Sequence, residues 1–421
     1  MAGPLPRRLL PDTASVDRGR LSIGGCDTLE LAAEFGTPLF VYDEEHLRAR
    51  CREAVTALPG GAAYATKAFH CVAMARLAHE EGMLLDVASG GEMHVALAAG
   101  VPPDKLVLHG NAKSDEELAA ALEIGVGRIV VDSFDEMDRL DRLAGTKPAP
   151  VLVRITPGVE AHTHRFTATG HDDTKFGFTV STGAAAEAVE RARGSSSMDL
   201  RGLHAHIGSQ VFRLESFERA ARIVAAVAAP FHLPELSLGG GLGVPYVEGE
   251  VAPGLTAWIE TIEQAVRGEG VTCQVLVEPG RAIVAGAAVT LYSVVTIKDI
   301  PGIRTYLAVD GGMSDNPRPV LYGSGYETFL PRAADAPRPR TVTVVGKHCE
   351  SGDVLVEHGS VPDDVAVDDI LATPVTGAYG QSMGSTYNKV PRPAVVFCSD
   401  GSARLVVRRE TIEDLLRLDV T

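Results

Sequence analysis

Between about residue 37 and residue 285 the chain repeats one pattern: a short β-branched or apolar run, then a longer Ala/Leu/Glu stretch with helical spacing. The strand-like runs are "PLFVY", "AAYAT", "LLDVA", "LVLHG", "RIVVD", "VLVRI", "LHAHI", "LSLGG" and "CQVLVEPG". Between them lie stretches such as "DEEHLRARCREAVTAL", "SGGEMHVALAAG", "SDEELAAALEIG" and "LESFERAARIVAAVAA". Several of these open on Ser or Asp and stop at Gly, the residues that cap helices. About eight such units over roughly 250 residues predict a TIM-type (β/α)8 barrel, with an open doubly wound sheet as the alternative.

The pattern changes after residue 286. "AAVTLYSVVTIKDI", "RTYLAVDGG", "RTVTVVG", "DDILATPVTG", "AVVFCSDG" and "ARLVVRRE" read as strands and turns with little helix. The expected fold is therefore α/β plus β, a barrel over 31–285 followed by a C-terminal β-domain over 286–421. Residues 1–30 are expected to join the β-domain, with "GRLSIGG" as a strand returning to its sheet. "PRAADAPRPRTV" and "RARGSSSMDL" read as loops, and no solenoid repeat or low-complexity region interrupts the chain.

Thirty-nine basic and fifty-five acidic side chains leave a formal charge of −16. Such a field repels phosphate backbones and argues against nucleic acid as a partner, while leaving room for a local basic site that takes a small anion. The six cysteines are dispersed and form no CxxC pair, which argues against a zinc ribbon or a disulfide framework. "MAGPLPRRLLPDTASVDRG" has no apolar stretch of signal-peptide length, and the longest apolar run, "IVAAVAAPFHL", is broken by Pro230. A cytoplasmic protein with no membrane association is expected.

Several residues at the trailing ends of the barrel strands can carry chemistry, and that is the face where such barrels keep their sites. Lys67, in "AAYATKAFH", is placed to act as a Schiff-base nucleophile once desolvated, or else as a surface lysine capping the next helix. "SLGGGLGVPY", residues 237–246, brings three glycines after a strand, where backbone N–H groups can approach a phosphate. It lacks both the Walker lysine and the GxGxxG spacing, and read alone it is also an ordinary turn. In "LVEPGRAIVA", Glu278 is placed to hold a protonated pyridine-type nitrogen of an electron-sink cofactor, and Arg281 to meet a carboxylate or phosphate. The plain alternative is a Glu–Arg pair across a turn. "GLHAHIGSQ" sets His204 and His206 on one strand, and "EAHTHRF" adds His162 and His164. Neither HxH pair has a carboxylate-rich partner motif, so structural or ring-stacking roles are favoured over a metal site. Lys67, Asp86, His206, the glycine turn and Glu278 all fall at strand ends, and that convergence favours the functional reading.

With these segments placed, the chain resembles the fold-type III pyridoxal-phosphate decarboxylases. The likeness runs through "YATKA", "DVASGGE", "HGNAKS", "PGVEAHTH", "TKFGF", "GLHAHIGSQ", "GGGLG", "EPGR", "DNPRPVLYG", "CESGD" and "GAYGQSMGSTYN". The resemblance implies pyridoxal 5'-phosphate as cofactor, carried on Lys67, with His206 stacked on its ring. Ser209, Gly240 and Gly241 would hold its phosphate, Glu278 its ring nitrogen, and Asp86, Pro279, Gly280, Arg281 and Tyr379 would complete the cofactor site. Arg281, Arg318, Tyr322, Glu350 and Tyr379 would bind an amino-acid substrate, with Glu350 reading a distal ammonium. Cys349 would be the general acid, and it and its neighbours would serve the other subunit of a homodimer.

The substrate this implies is meso-2,6-diaminopimelate, giving L-lysine and carbon dioxide. The alternatives are a sibling decarboxylase for ornithine, arginine or carrier-bound glutamate, a racemase on the same barrel, and a cofactor-free binding homologue. Arg318, Tyr322 and Glu350 together favour a substrate with a second amino-acid head. Ala112, Thr156, Gly380 and Gln381 depart from the commoner family residues, and none carries an assigned role.

Overall fold

The computed structural model describes residues 2–159 and 172–420. The chain divides into two compact units: Arg50–Val244 with Ala252–Ala282, and Met1–Ala49 with Pro245–Val251 and Ile283–Thr421.

The first unit is an eight-stranded parallel barrel. Its strands are Ala63–Ala65, Leu84–Val87, Leu106–Leu108, Arg128–Val131, Ala149–Thr156, Met198–His204, Glu235–Ser237 and Gln274–Leu276, each pairing with the next. A parallel bridge between Ala62 and Val277 joins last to first, with Ala63 N donating to Val277 O at 2.8 Å and Val277 N to Gly61 O at 2.8 Å. Most of these strands are continuous apolar runs because helices cover one face while side chains fill the interior. Within that packing Ala63, Leu84 and Leu276 form one cluster, and Val107, Val130 and Leu152 another.

Local chemistry sets the helices between the strands. Ser89, Ser114 and Ser133 each accept a hydrogen bond from the backbone N–H three residues on, and Glu117 completes a capping box with Ser114. Gly125, at φ 76°, ends the helix Asp115–Ile124 in the left-handed conformation that glycine tolerates best. Among the described residues no helix is long and apolar enough to cross a membrane.

The second unit is built on an eight-stranded mixed sheet. The long strand Ala288–Ile300 pairs antiparallel with Leu39–Asp43, with Ile370–Pro374 and with Arg304–Val309. Two expectations change here. "PLFVY" is not a barrel strand: Leu39–Asp43 lies between Ala288–Ile300 and Ala394–Ser399 in this sheet, parallel to the latter. It is buried along its whole length and leads into the helix Glu44–Ala57, so its pattern is that of a βα unit. "GRLSIGG" is a strand, Arg20–Ile23, but it pairs with Ser15–Asp17 and Cys26–Asp27 in a separate three-stranded sheet. Two-residue turns with positive φ at both positions, Arg18–Gly19 and Gly24–Gly25, close that meander on itself.

Candidate active site

The barrel unit brings Asp86, His109, His204 and Glu278 together near the C-terminal ends of its strands. Register alone places His204 beside Ser237 and Ala65 beside Asp86. Lys67 follows Ala63–Ala65 in a single 3-10 turn, Thr66–Ala68, whose Thr66 Oγ donates to Asp86 O at 2.8 Å.

Glu278 is the hub. Ser237 Oγ donates to its Oε1 at 2.7 Å, and His204 Nε2 stands 3.1 Å from Oε2. His109 Nε2 lies 3.3 Å from Oε1 and 3.6 Å from Asp86 Oδ1, with no hydrogen-bond partner of good geometry among the described residues. The His109 and His204 rings meet edge to face, centroids 4.9 Å apart. All five residues, Asp86, His109, His204, Ser237 and Glu278, are buried.

Burial opposes charge on Glu278, yet His204 and His109 outweigh it and hold the carboxyl well below the usual carboxylate range. Burial pushes His204 down to about 4, so its imidazole is neutral and Nε2–H is the donor to Glu278. For His109 burial is overcome by Asp86 and Glu278, and its pKa rises. Asp86 is raised by burial against the pull of His109 and Lys67, and His206 is pushed well down by burial, then by the Lys67 and Arg154 charges. The site therefore holds a fixed anion at Glu278 with a cluster of imidazoles around it.

The glycine turn stands next to it. Gly239 and Gly241 have φ of 65° and 111°. A Cβ on Gly240 would lie 2.1 Å from Glu278 O, and one on Gly241 2.1 Å from Gly208 O, so the backbone approach requires glycine. Gly240 N donates to His206 Nδ1 at 3.2 Å, and Arg281 donates to Ser209 Oγ at 2.9 Å. The Pro279–Gly280 turn packs on the strand leading to Lys67: Ala65 N donates to Pro279 O at 3.2 Å, and a Cβ on Gly280 would lie 2.9 Å from Ala65 O. Of the HxH pair, His204 engages Glu278 and His206 engages Gly240. Ligand atoms of His109, His204 and Glu278 lie within 4.8 Å of one another, and the His204–Glu278 pair is at hydrogen-bond distance. His162 and His164 lie outside the described residues.

The remaining expected residues belong to the second unit. Arg318 is buried between the rings of Tyr246 and Tyr326, 4.1 and 5.4 Å from its guanidinium carbon, and donates to Tyr326 Oη. Tyr322 ends the same short helix, Arg318–Tyr322. Tyr379 sits at φ 61°, an uncommon conformation for a residue with a side chain, and adds to the charge environment of Arg318. Cys349 and Glu350 are exposed on the turn joining Arg340–Val345 to Val354–Val361.

Sequence reasoning missed His109, Ser237 and Arg154 as members of the barrel cluster. His109 follows directly on Leu106–Leu108 and Ser237 ends its strand, so the strand-end rule that singled out Lys67 reaches both. Arg154 pairs with Asp132 at 3.7 Å inside the barrel and carries no such signal.

A fixed carboxylate, a lysine, a glycine turn and an Arg–Ser pair around one barrel mouth are groups that could hold a phosphorylated heteroaromatic cofactor. A family model described as the pyridoxal binding domain of pyridoxal-dependent decarboxylases matches residues 44–285. The chain belongs to the pyridoxal-dependent decarboxylases. The diaminopimelate decarboxylase of Mycobacterium tuberculosis (strain H37Rv) is 47% identical over 97% of this chain and 97% of its own. That of Actinosynnema pretiosum subsp. auranticum is 49% identical over 98% and 95%. The crystal structure of diaminopimelate decarboxylase from M. jannaschii in co-complex with L-lysine superposes with a TM-score of 0.90 at 33% identity, covering 97% of this chain and 98% of that one.

Proposed function

We propose that this chain removes carbon dioxide from meso-2,6-diaminopimelate to give L-lysine, using pyridoxal 5'-phosphate. The observation that carries the reading is Glu278, a buried carboxylate kept ionised by two hydrogen bonds at the barrel mouth that also holds Lys67. The donor set fits the cofactor: an amine for its aldehyde, an anion for its ring nitrogen, and backbone N–H groups with Ser209 and Arg281 for its phosphate.

Bound there, the cofactor supplies an electron sink for the pair left when carbon dioxide departs. Lys67 is the amine that carries it. Glu278 would keep a proton on the ring nitrogen, because an ionised, doubly hydrogen-bonded carboxylate favours a cation opposite it. His206 would lie against the cofactor ring, and Asp86 adds its charge to the surroundings of Lys67. Arg281, Arg318, Tyr322 and Tyr379 orient the substrate carboxylates, and Glu350 accepts from the distal ammonium. Cys349 returns a proton to the reacting carbon. In this reading Cys349 and Glu350 serve the neighbouring subunit of a cytoplasmic homodimer.

The test is carbon dioxide release from meso-diaminopimelate beside ornithine, lysine and arginine, with borohydride reduction of the cofactor absorbance as control. Release from diaminopimelate alone is expected. Turnover of ornithine or arginine with diaminopimelate ignored removes the substrate assignment.

A further inference from the structure

The turn that carries Cys349 and Glu350 is held from three sides within the second unit. Asp353 accepts His348 N at 2.9 Å and Met313 N at 2.6 Å on its two oxygens, closing the base of the turn. His348 is buried, and both ring nitrogens are engaged, Nε2 with Ser314 Oγ at 2.8 Å and Nδ1 with Asn388 Oδ1 at 3.1 Å. The same Asn388 oxygen accepts Cys349 N at 3.4 Å, which identifies it as the acceptor and gives His348 Nδ1 the proton. Beside it, the Tyr387 hydroxyl donates to Glu350 Oε1.

Two features separate this from an incidental surface contact, which contributes little. Asn388 and Lys389 are consecutive non-glycine residues at φ 51° and 55°, and such strain persists only where surrounding contacts enforce it. The Tyr387 ring also packs on the fixed His348 ring, centroids 5.3 Å apart, which sets the direction of its hydroxyl. The neighbouring Glu350 raises the phenol, so it remains a donor. A carboxylate on a flexible turn samples many rotamers, and one already holding a hydrogen bond from a fixed donor loses less freedom when it meets a cation.

We propose that Tyr387 is a specificity-determining positioning residue: it holds the Glu350 carboxylate in the orientation that accepts the distal ammonium of the substrate, while Asn388 fixes the backbone of Cys349. The inference rests on the reading of Glu350 given above. Tyr387 acts through Glu350 and touches no reacting atom, so its removal acts on substrate affinity rather than on the chemical step.

The experiment compares the wild-type holoenzyme with Tyr387→Phe, Glu350→Gln and the double variant. Tyr387→Phe keeps the ring on His348 and deletes only the hydroxyl. It is expected to raise KM for meso-diaminopimelate about fivefold to tenfold, leave kcat within about twofold, and leave the melting temperature and cofactor absorbance unchanged. In the Glu350→Gln background the same substitution should add no further rise in KM. An unchanged KM in Tyr387→Phe, a loss confined to kcat, or a full additive loss in the double variant overturns the proposal. Failure of the underlying reading looks different: wild type then releases no carbon dioxide from diaminopimelate, or Glu350→Gln has a wild-type KM.

Discussion

His204 Nε2 lies 3.1 Å from Glu278 Oε2, and the neutral imidazole is the donor in that contact. The hydrogen bond stabilises the carboxylate over the acid, as does that from Ser237 to the other oxygen. A hydrogen bond to a charged group contributes about 1.5–3 kcal/mol, roughly one to two pH units of carboxyl pKa. In His204→Leu the Glu278 pKa should rise by that amount, and the acidic limb of kcat/KM should move to higher pH with it. Rate measurements on wild type and variant carried down to about pH 3 check this, because the Glu278 carboxyl starts well below the usual carboxylate range, and an acidic limb unmoved in that window contradicts the role given to His204.

The glycine turn makes a prediction about cofactor retention. Gly240→Ala forces a methyl to within 2.1 Å of Glu278 O, and the backbone can relieve this only by withdrawing its N–H groups from the anion they are set to meet. Affinity for pyridoxal 5'-phosphate should fall about a hundredfold, read as absorbance remaining after dialysis. A folded variant that retains its cofactor contradicts the phosphate assignment.

Cys349→Ala should leave the cofactor absorbance intact, because Cys349 lies in the second unit on a turn anchored through its neighbours. Turnover should fall at least about tenfold, within the range that general acid catalysis contributes. Stopped assays with the purified holoenzyme check this, and an unchanged kcat removes the general-acid role.

Inside the barrel unit, Lys113 Nζ stands 2.8 Å from Glu136 Oε1 with both side chains almost wholly buried, and it also donates to Gly110 O and Val130 O. Lys113→Met leaves Glu136 buried without its counter-charge and should cost about 3–5 kcal/mol in denaturant unfolding. Lys113→Met with Glu136→Leu should recover part of that loss. A single variant as stable as wild type would show that the pair adds nothing.

Asp315 predicts how stability varies with pH. Burial pushes its carboxyl up to about 7 despite hydrogen bonds from Tyr292 Oη and Gly312 N. The folded pKa is above the unfolded one, so the neutral acid binds its proton more tightly when folded. Its contribution is complete below about pH 4 and is lost as pH rises through about 7. The melting temperature should therefore decline between pH 5 and 8, and Asp315→Asn should flatten that decline while lowering stability at pH 5.

Most of the barrel was legible because burial on both faces leaves a continuous apolar run for each strand, as in "LVL" before His109 and "LLDV" around Asp86. The same rule misplaced Leu39–Asp43, since a strand covered on both faces in a mixed sheet has the same composition. Lys67 and Glu278 stood out by their place at strand ends. His348, Tyr387 and Asn388 did not, because the contacts that define them join segments some forty residues apart and leave no local periodicity.

Leu39–Asp43 also bears on how the chain is made. The strand is laid down early in synthesis, yet it lies between Ala288–Ile300 and Ala394–Ser399, and neither edge can be paired until those residues emerge. The barrel strands, all contained between Ala63 and Leu276, can close hundreds of residues' worth of contacts while that early strand waits unpaired. An apolar segment held open for so long during translation is the natural point of capture by a chaperone or by another nascent copy. A chain that has passed Leu276 but not yet reached Ala394 holds every barrel strand while Leu39–Asp43 still lacks one of its two partners.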